Sequence, residues 1–158
     1  MKVIWVLLVV TAAAYLWLRL FRNRHDWQLA ARTGLSAMLL FTALGHFMFT
    51  AGMSRMIPDP VPGKVFLVIL TGILEIAAAV GLQVKKTRQL TARLLLVFFV
   101  LILPANIHAA LTHLNLYTAE ANGPGPEYLW IRIPEQVFYF AWVYFSAIWR
   151  PRSAPAGC

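Results

Sequence analysis

Glu75, His46 and His108 are the side chains of this sequence best suited to move a proton, and all three lie within long apolar runs. A carboxylate and imidazoles held in a low-dielectric site can be tuned to act as general acid and base. Asn106, Arg132, Glu135 and Gln136 supply donors and acceptors that could fix a ligand's carbonyl oxygens. Glu75, His46 and His108 are therefore the candidate catalytic residues. The other four are the candidate ligand-binding residues. Imidazole with carboxylate also suits several divalent metals. However, no HxxxH or ExxH spacing occurs, and His108 and His113 are too far out of register to share a helix face. No metal site is expected. Cys158 is the only cysteine, so mechanisms that cycle a CxxC pair within the chain are excluded, and no haem motif occurs.

Positioning these groups falls to five segments long enough to cross a bilayer, at about 20 apolar residues each. They cover about 3–21, 34–53, 65–84, 94–114 and 128–149. Composition agrees. The 158 residues are 60% hydrophobic and 13% charged, and the mean hydropathy is +0.68. A soluble domain is nearer half apolar and a quarter charged. A soluble globular protein, a disordered chain and a disulfide-stapled module are excluded, which leaves one integral membrane domain over 1–158. The first segment has a long apolar run followed at once by basic residues, so it is read as a retained helix rather than a signal peptide.

The net charge of +8 resides in short clusters between apolar runs. Such clusters set membrane topology, and nucleic-acid binding is not expected. Arg19, Arg22, Arg24 and Arg32 follow the first segment, Lys85, Lys86, Arg88 and Arg93 the third, and Arg150 and Arg152 the fifth. The opposite side carries Lys2, then Arg55, Asp59 and Lys64, then a loop with Glu120 and Glu127 but no Lys or Arg. The positive-inside rule places the N-terminus outside and the C-terminus in the cytoplasm. Tyr117, Tyr128 and Trp130 then mark the outer interface, and Trp27 and Trp149 the inner one. The outer stretch 57–63, interrupted by prolines, cannot be helical, and 122–126 is a turn-rich link.

This antiparallel arrangement brings polar groups of four segments into the outer half of the bilayer, and the first segment contributes none. Glu75 sits about 15 Å into its helix, near the midplane. A carboxylate there costs about 2.5 kcal/mol or more, so it must face the bundle, protonated or paired. Gly72 and Ala79 flank it at i−3 and i+4 and admit a close neighbour. Two readings of Glu75 stand side by side: a structural hydrogen-bond donor, or a functional proton or ligand group. Arg132 and Glu135 are spaced as an interfacial pair, or else Arg132 turns inward to Glu75 or to an anionic ligand. Pro104 is either an ordinary membrane-helix proline or a bulge that opens a pocket at Asn106. Met38, Met48, Met53 and Met56, with the phenylalanines of the second segment, are packing or lipid-contact residues. The run Lys85-Lys86-Thr87-Arg88 is a topology signal that can touch anionic lipid.

The stretch from the second to the fifth segment resembles the DoxX-like family of small bacterial membrane proteins. The likeness is carried by Gly45-His46-Phe47, Ile57-Pro58 with Val61-Pro62, Thr71-Gly72-Ile73-Leu74-Glu75 and Thr87-Arg88. It continues in Phe98 to Leu103, Pro104-Ala105-Asn106-Ile107-His108 and Leu129-Trp130-Ile131-Arg132-Ile133-Pro134-Glu135-Gln136. The resemblance implies an all-α, four-helix transmembrane bundle with one additional N-terminal helix, in a bacterial inner membrane. Some relatives look like subunits of quinone-linked oxidising enzymes, and others are linked to oxidative-stress complexes.

Three functions follow as expectations. The first is an oxidoreductase subunit that binds a quinone-like lipid and takes electrons from a redox partner protein. The second is a non-catalytic lipid-binding or scaffold subunit, with oligomers open. The third is a stand-alone lipid isomerase-type enzyme. Inverted repeats and broken helix pairs, the marks of a transporter, are not found in the sequence. The orientation has a direct test. A membrane-impermeant thiol reagent should reach Cys158 in inverted vesicles and not in intact cells; labelling in intact cells would reverse the topology.

Overall fold

The computed structural model describes residues 2–23 and 25–149. Arg24, Arg150, Arg152 and Cys158, and the side chain of Lys2, lie outside the described residues. Every regular element among the described residues is helical. Six α-helices run in order: α1 (Lys2–Arg22), α2 (Trp27–Met48), α3 (Thr50–Met56), α4 (Lys64–Gln83), α5 (Arg88–Leu111) and α6 (Leu129–Val143). A short 3₁₀ turn, Pro126–Tyr128, leads into α6, and a π-helical turn, Tyr144–Ile148, follows it.

Helices α1, α4 and α5 are each long and apolar enough to cross a membrane. Helices α2 and α3 pass the same test together but are bent by 94°. Among the described residues the protein is thus all-helical, with three helices long and apolar enough to cross a membrane, or four if the bent pair is one span. Its outside is apolar, with Trp5, Leu20, Phe66, Leu101 and Trp130 all exposed. Surface of that kind belongs against lipid. Inside, Leu7, Leu35, Leu39, Leu82, Leu95, Phe99, Tyr139 and Val143 join one core. Helix α1 packs on α2, α2 on α4, and α6 with its π turn against α2 and α5.

The second segment differs most from expectation. Its helix begins at Trp27, because the Asp26 carboxylate accepts from the Leu29 amide at 2.8 Å and caps it. It also breaks at Phe49 instead of running on to Met53. The chain therefore does contain a broken helix pair. Arg32, expected in a connecting loop, lies inside α2 and is only 5% exposed. Its Nη1 donates to the Ser146 carbonyl at 3.0 Å. The fourth segment begins earlier than expected, at Arg88, and ends at Leu111, with His113 beyond it at φ 51°. Helix α5 continues as α-helix through Pro104. The fifth segment is α-helical only to Val143. Beyond that, the Trp149 amide reaches back to the Tyr144 carbonyl at 2.8 Å. The wider π turn persists because α2 side chains serve its carbonyls. Gln28 donates to the Trp149 carbonyl at 2.8 Å, and Arg32 to that of Ser146.

Helix α3 and the long loop before α6 close one end of the molecule. Phe49 meets Tyr117 edge-on at 5.0 Å, Arg55 donates to the Ala119 carbonyl, and Gly52 packs directly on the Leu116 carbonyl. The proline-rich stretch links α3 to α4 through Gly63, at φ 68°. Next to it, Asp59 accepts from Lys64 at 2.7 Å. That hydrogen bond and the Lys64 charge hold the Asp59 carboxyl below its usual range.

Close approach of α1 to α2 depends on Gly34. A Cβ there would lie 1.9 Å from Thr11 Oγ1 and 2.7 Å from the Leu7 carbonyl. Gly34→Ala should therefore destabilise the protein in detergent by about 1–3 kcal/mol. Gly45→Ala, whose Cβ would meet only Met53 Cε at 3.6 Å, should be neutral or stabilising by up to about 1 kcal/mol. Denaturant titration of both variants checks the pair. Equal effects would mean that α1 is not tightly docked.

Candidate functional site

Glu75 projects from the middle of α4 and is 6% exposed. It faces α2, as the small residues around it require. A Cβ on Gly72 would stand 3.0 Å from the His46 Cβ. One turn beyond Glu75, the Ala79 carbonyl accepts from Ser36 of α2 at 2.8 Å. This contact delivers His46, in the last turn of α2, to the carboxylate. His46 Nε2 lies 3.6 Å from Glu75 Oε2.

The hydrogen bonds fix the ring's polarity. The Thr71 hydroxyl donates to the Val68 carbonyl at 2.8 Å. It must then accept from His46 Nδ1, 3.2 Å away. That leaves Nε2 turned toward Glu75. One proton between Nε2 and Oε2 makes the contact attractive; without it two lone pairs oppose each other. Glu75 Oε2 is buried and has no hydrogen-bond partner. Such an atom in a low-dielectric interior is costly, and it is the conspicuous unsatisfied acceptor of the site. His46 keeps 17% of its side chain exposed, so approach to the pair is from the imidazole side.

A second cluster sits on α6. Arg132 Nη1 donates to Glu135 Oε2 at 3.1 Å, and Tyr139 donates to Glu135 Oε1 at 3.2 Å. Arg132 therefore engages its own helix, which is the pair reading of the sequence, with Glu135 buried. Arg132 Nε is buried without a partner. The remaining candidates bond backbone. Gln136 donates to the Phe99 carbonyl at 2.8 Å and joins α6 to α5. Asn106 donates to the Ile102 carbonyl at 3.2 Å, one turn back on α5. His108 Nδ1 lies 3.1 Å from the Met56 carbonyl and pins the end of α3. Among the described residues, no three His, Cys, Asp or Glu side chains gather as a metal site would require.

The expected set is thus divided. The structure brings His46 to Glu75 and Arg132 to Glu135, while Asn106, His108 and Gln136 hold backbone carbonyls. Two residues that the sequence reading left out of the site complete the pairs. Thr71 precedes Glu75 by one helical turn, and Tyr139 follows Glu135 by one. That i, i+4 spacing is the signal that points to both.

Residues 35–147 match the family described as Domain of unknown function (DUF8561), and they make up more than half of the chain. The chain belongs to this family. The matched stretch includes His46, Thr71, Glu75 and the α6 cluster, whereas α1 lies outside it. No curated protein and no solved structure matches the chain.

If Thr71 sets the His46 ring, Thr71→Val should cost about 1–3 kcal/mol, because the Nδ1 proton loses its half-buried acceptor. Thr33 is a suitable control. Its hydroxyl bonds only the Leu29 carbonyl of its own helix, at 2.9 Å, so Thr33→Val should stay within about 0.5 kcal/mol. Equal losses in the two variants, measured by unfolding in detergent, would show that Thr71 does not hold the ring.

Proposed function

We propose that the protein is a subunit of a quinone- or lipid-linked membrane oxidoreductase and that the His46–Glu75 pair exchanges protons with the bound molecule's polar head. The observation that carries the reading is the buried, unpartnered Oε2 of Glu75, 3.6 Å from an imidazole nitrogen whose other side is tethered by Thr71. Intramembrane ionisable groups are expensive and default to function. Reducing a quinone to a quinol consumes two electrons and two protons. In this reading a redox partner protein supplies the electrons. The pair passes protons one at a time to the two carbonyl oxygens and is refilled through His46, its partly exposed member.

The same proposal includes the resemblance to DoxX-like proteins and a five-span layout. In it α2 with α3, α4, α5, and α6 with its π turn make a four-helix bundle, and α1 is added outside it. It also places the chain in a bacterial inner membrane, with the N-terminus outside and the C-terminus in the cytoplasm. Membrane lipid and a redox protein are the partners this reading requires.

Native mass spectrometry of the gently extracted protein tests the proposal, with wild type beside Glu75→Gln and His46→Ala. A quinone bound to wild type and lost from His46→Ala is expected. Glu75→Gln should keep the quinone but slow its reduction in native membranes by about 10²–10⁴-fold, the usual contribution of a positioned proton donor. A phospholipid in place of the quinone, lost from His46→Ala but indifferent to Glu75→Gln, would favour the non-catalytic lipid-binding reading. A wild type carrying nothing that His46→Ala displaces would favour a scaffold.

A further inference from the structure

The turn between α4 and α5 is strongly basic. Lys85 and Lys86 are exposed, and Arg88 folds back so that its Nε donates to the Leu82 carbonyl at 3.3 Å. No Asp or Glu occurs between Glu75 and Glu120. Arg19 and Arg22, in the last turn of α1, lie at the same end. The nearest acid in sequence at that end, Asp26, has its carboxylate engaged in capping α2. The charge of this end is therefore not neutralised within the chain.

A shallow, open apolar groove descends from this basic turn along α4, with Thr91 contributed by α5. Ile73, Ile76, Ala77, Val80 and Val84 form its wall, and Thr87 and Thr91 stand at its mouth. Gly81 allows the two helices to close behind it, since a Cβ there would sit 2.4 Å from the Thr91 hydroxyl. The Thr87 hydroxyl donates to the Gly81 carbonyl at 3.0 Å, so its lone pairs remain as acceptors. From Ile73 to Val84 the helix rises about 16 Å, which is close to half the hydrocarbon thickness of a bilayer. The groove thus has the length of one leaflet, with cations where the headgroups lie and hydrocarbon below.

We propose that the groove between α4 and α5 holds an acyl chain of an anionic phospholipid, with Lys85 and Lys86 binding its phosphate. This site is separate from His46 and Glu75, and it stands whether or not the oxidoreductase reading does. Two lysines near an anionic headgroup give about thirtyfold preference for it over a zwitterionic one.

The test is lipid exchange onto the full chain in detergent, read by native mass spectrometry. The probes are phosphatidylglycerol and phosphatidylcholine with identical chains, with inorganic phosphate as competitor. Wild type should retain phosphatidylglycerol about thirtyfold better. Lys85→Gln with Lys86→Gln should erase that preference. Ala77→Phe, at an exposed position, should fill the groove and weaken both lipids by about tenfold or more while leaving the preference intact. Equal retention of the two lipids by wild type would overturn the proposal. So would displacement by inorganic phosphate alone, or indifference to Ala77→Phe, because each would reduce the site to surface charge. Glu75→Gln should change none of these results, which separates this test from that of the proton-exchanging pair.

Discussion

In an apolar surrounding every backbone carbonyl that a helix fails to satisfy must find a donor on a neighbouring helix. The irregular parts of this protein obey that constraint. The π turn after α6 takes its donors from Gln28 and Arg32 of α2. The end of α3 takes its donor from His108 of α5. Trp142 returns a bond to the Ala31 carbonyl, and Gln83 of α4 serves both the Arg32 carbonyl and the Ser36 hydroxyl. These polar contacts run between helices whose other contacts are largely apolar, aliphatic and aromatic. They fix rotation and height where hydrophobic packing alone would tolerate sliding.

The same constraint explains the two polar pairs. Glu75 can be buried because glycine and alanine on its face let α2 come close enough to bring an imidazole to it. Glu135 is buried with Arg132 and Tyr139 around it. In the second case the acceptors are well served. In the first, one oxygen lacks a hydrogen bond, which sets Glu75 apart from Glu135 chemically although both are acids at similar burial. An interior acceptor left open beside a tethered imidazole is suited to a proton or to a ligand's donor. The Glu135 carboxylate, in contrast, is already held by Arg132 and Tyr139.

The two ends of the molecule differ in a related way. The end closed by α3 and the long loop places the His46–Glu75 pair beneath a packed cap, with Phe49, Gly52 and Arg55 all touching that loop. The opposite end is basic and more open, and its one nearby acid is spent on a helix cap. A bilayer treats these ends differently, since cationic turns favour the leaflet with anionic lipid.

The sequence by itself determined which stretches are long and apolar, where the prolines forbid helix, and which face of α4 must point inward. α1 and α4 accordingly begin and end within a residue or so of their hydropathy limits. Those features depend on residue type and on the fixed helical repeat, which are local properties. Only the tertiary structure decided the break at Phe49, the burial of Arg32, the π turn, and which polar group meets which. No proline lies near Phe49, and Gly45 and Gly52 both sit inside helices, so the bend exists because α3 finds a seat against Leu116 and His108. Arg32 reads as a loop charge by its place in the chain, yet its guanidinium is needed for a carbonyl more than a hundred residues away. Partners of that kind depend on how helices are rotated against one another, and hydropathy does not record that.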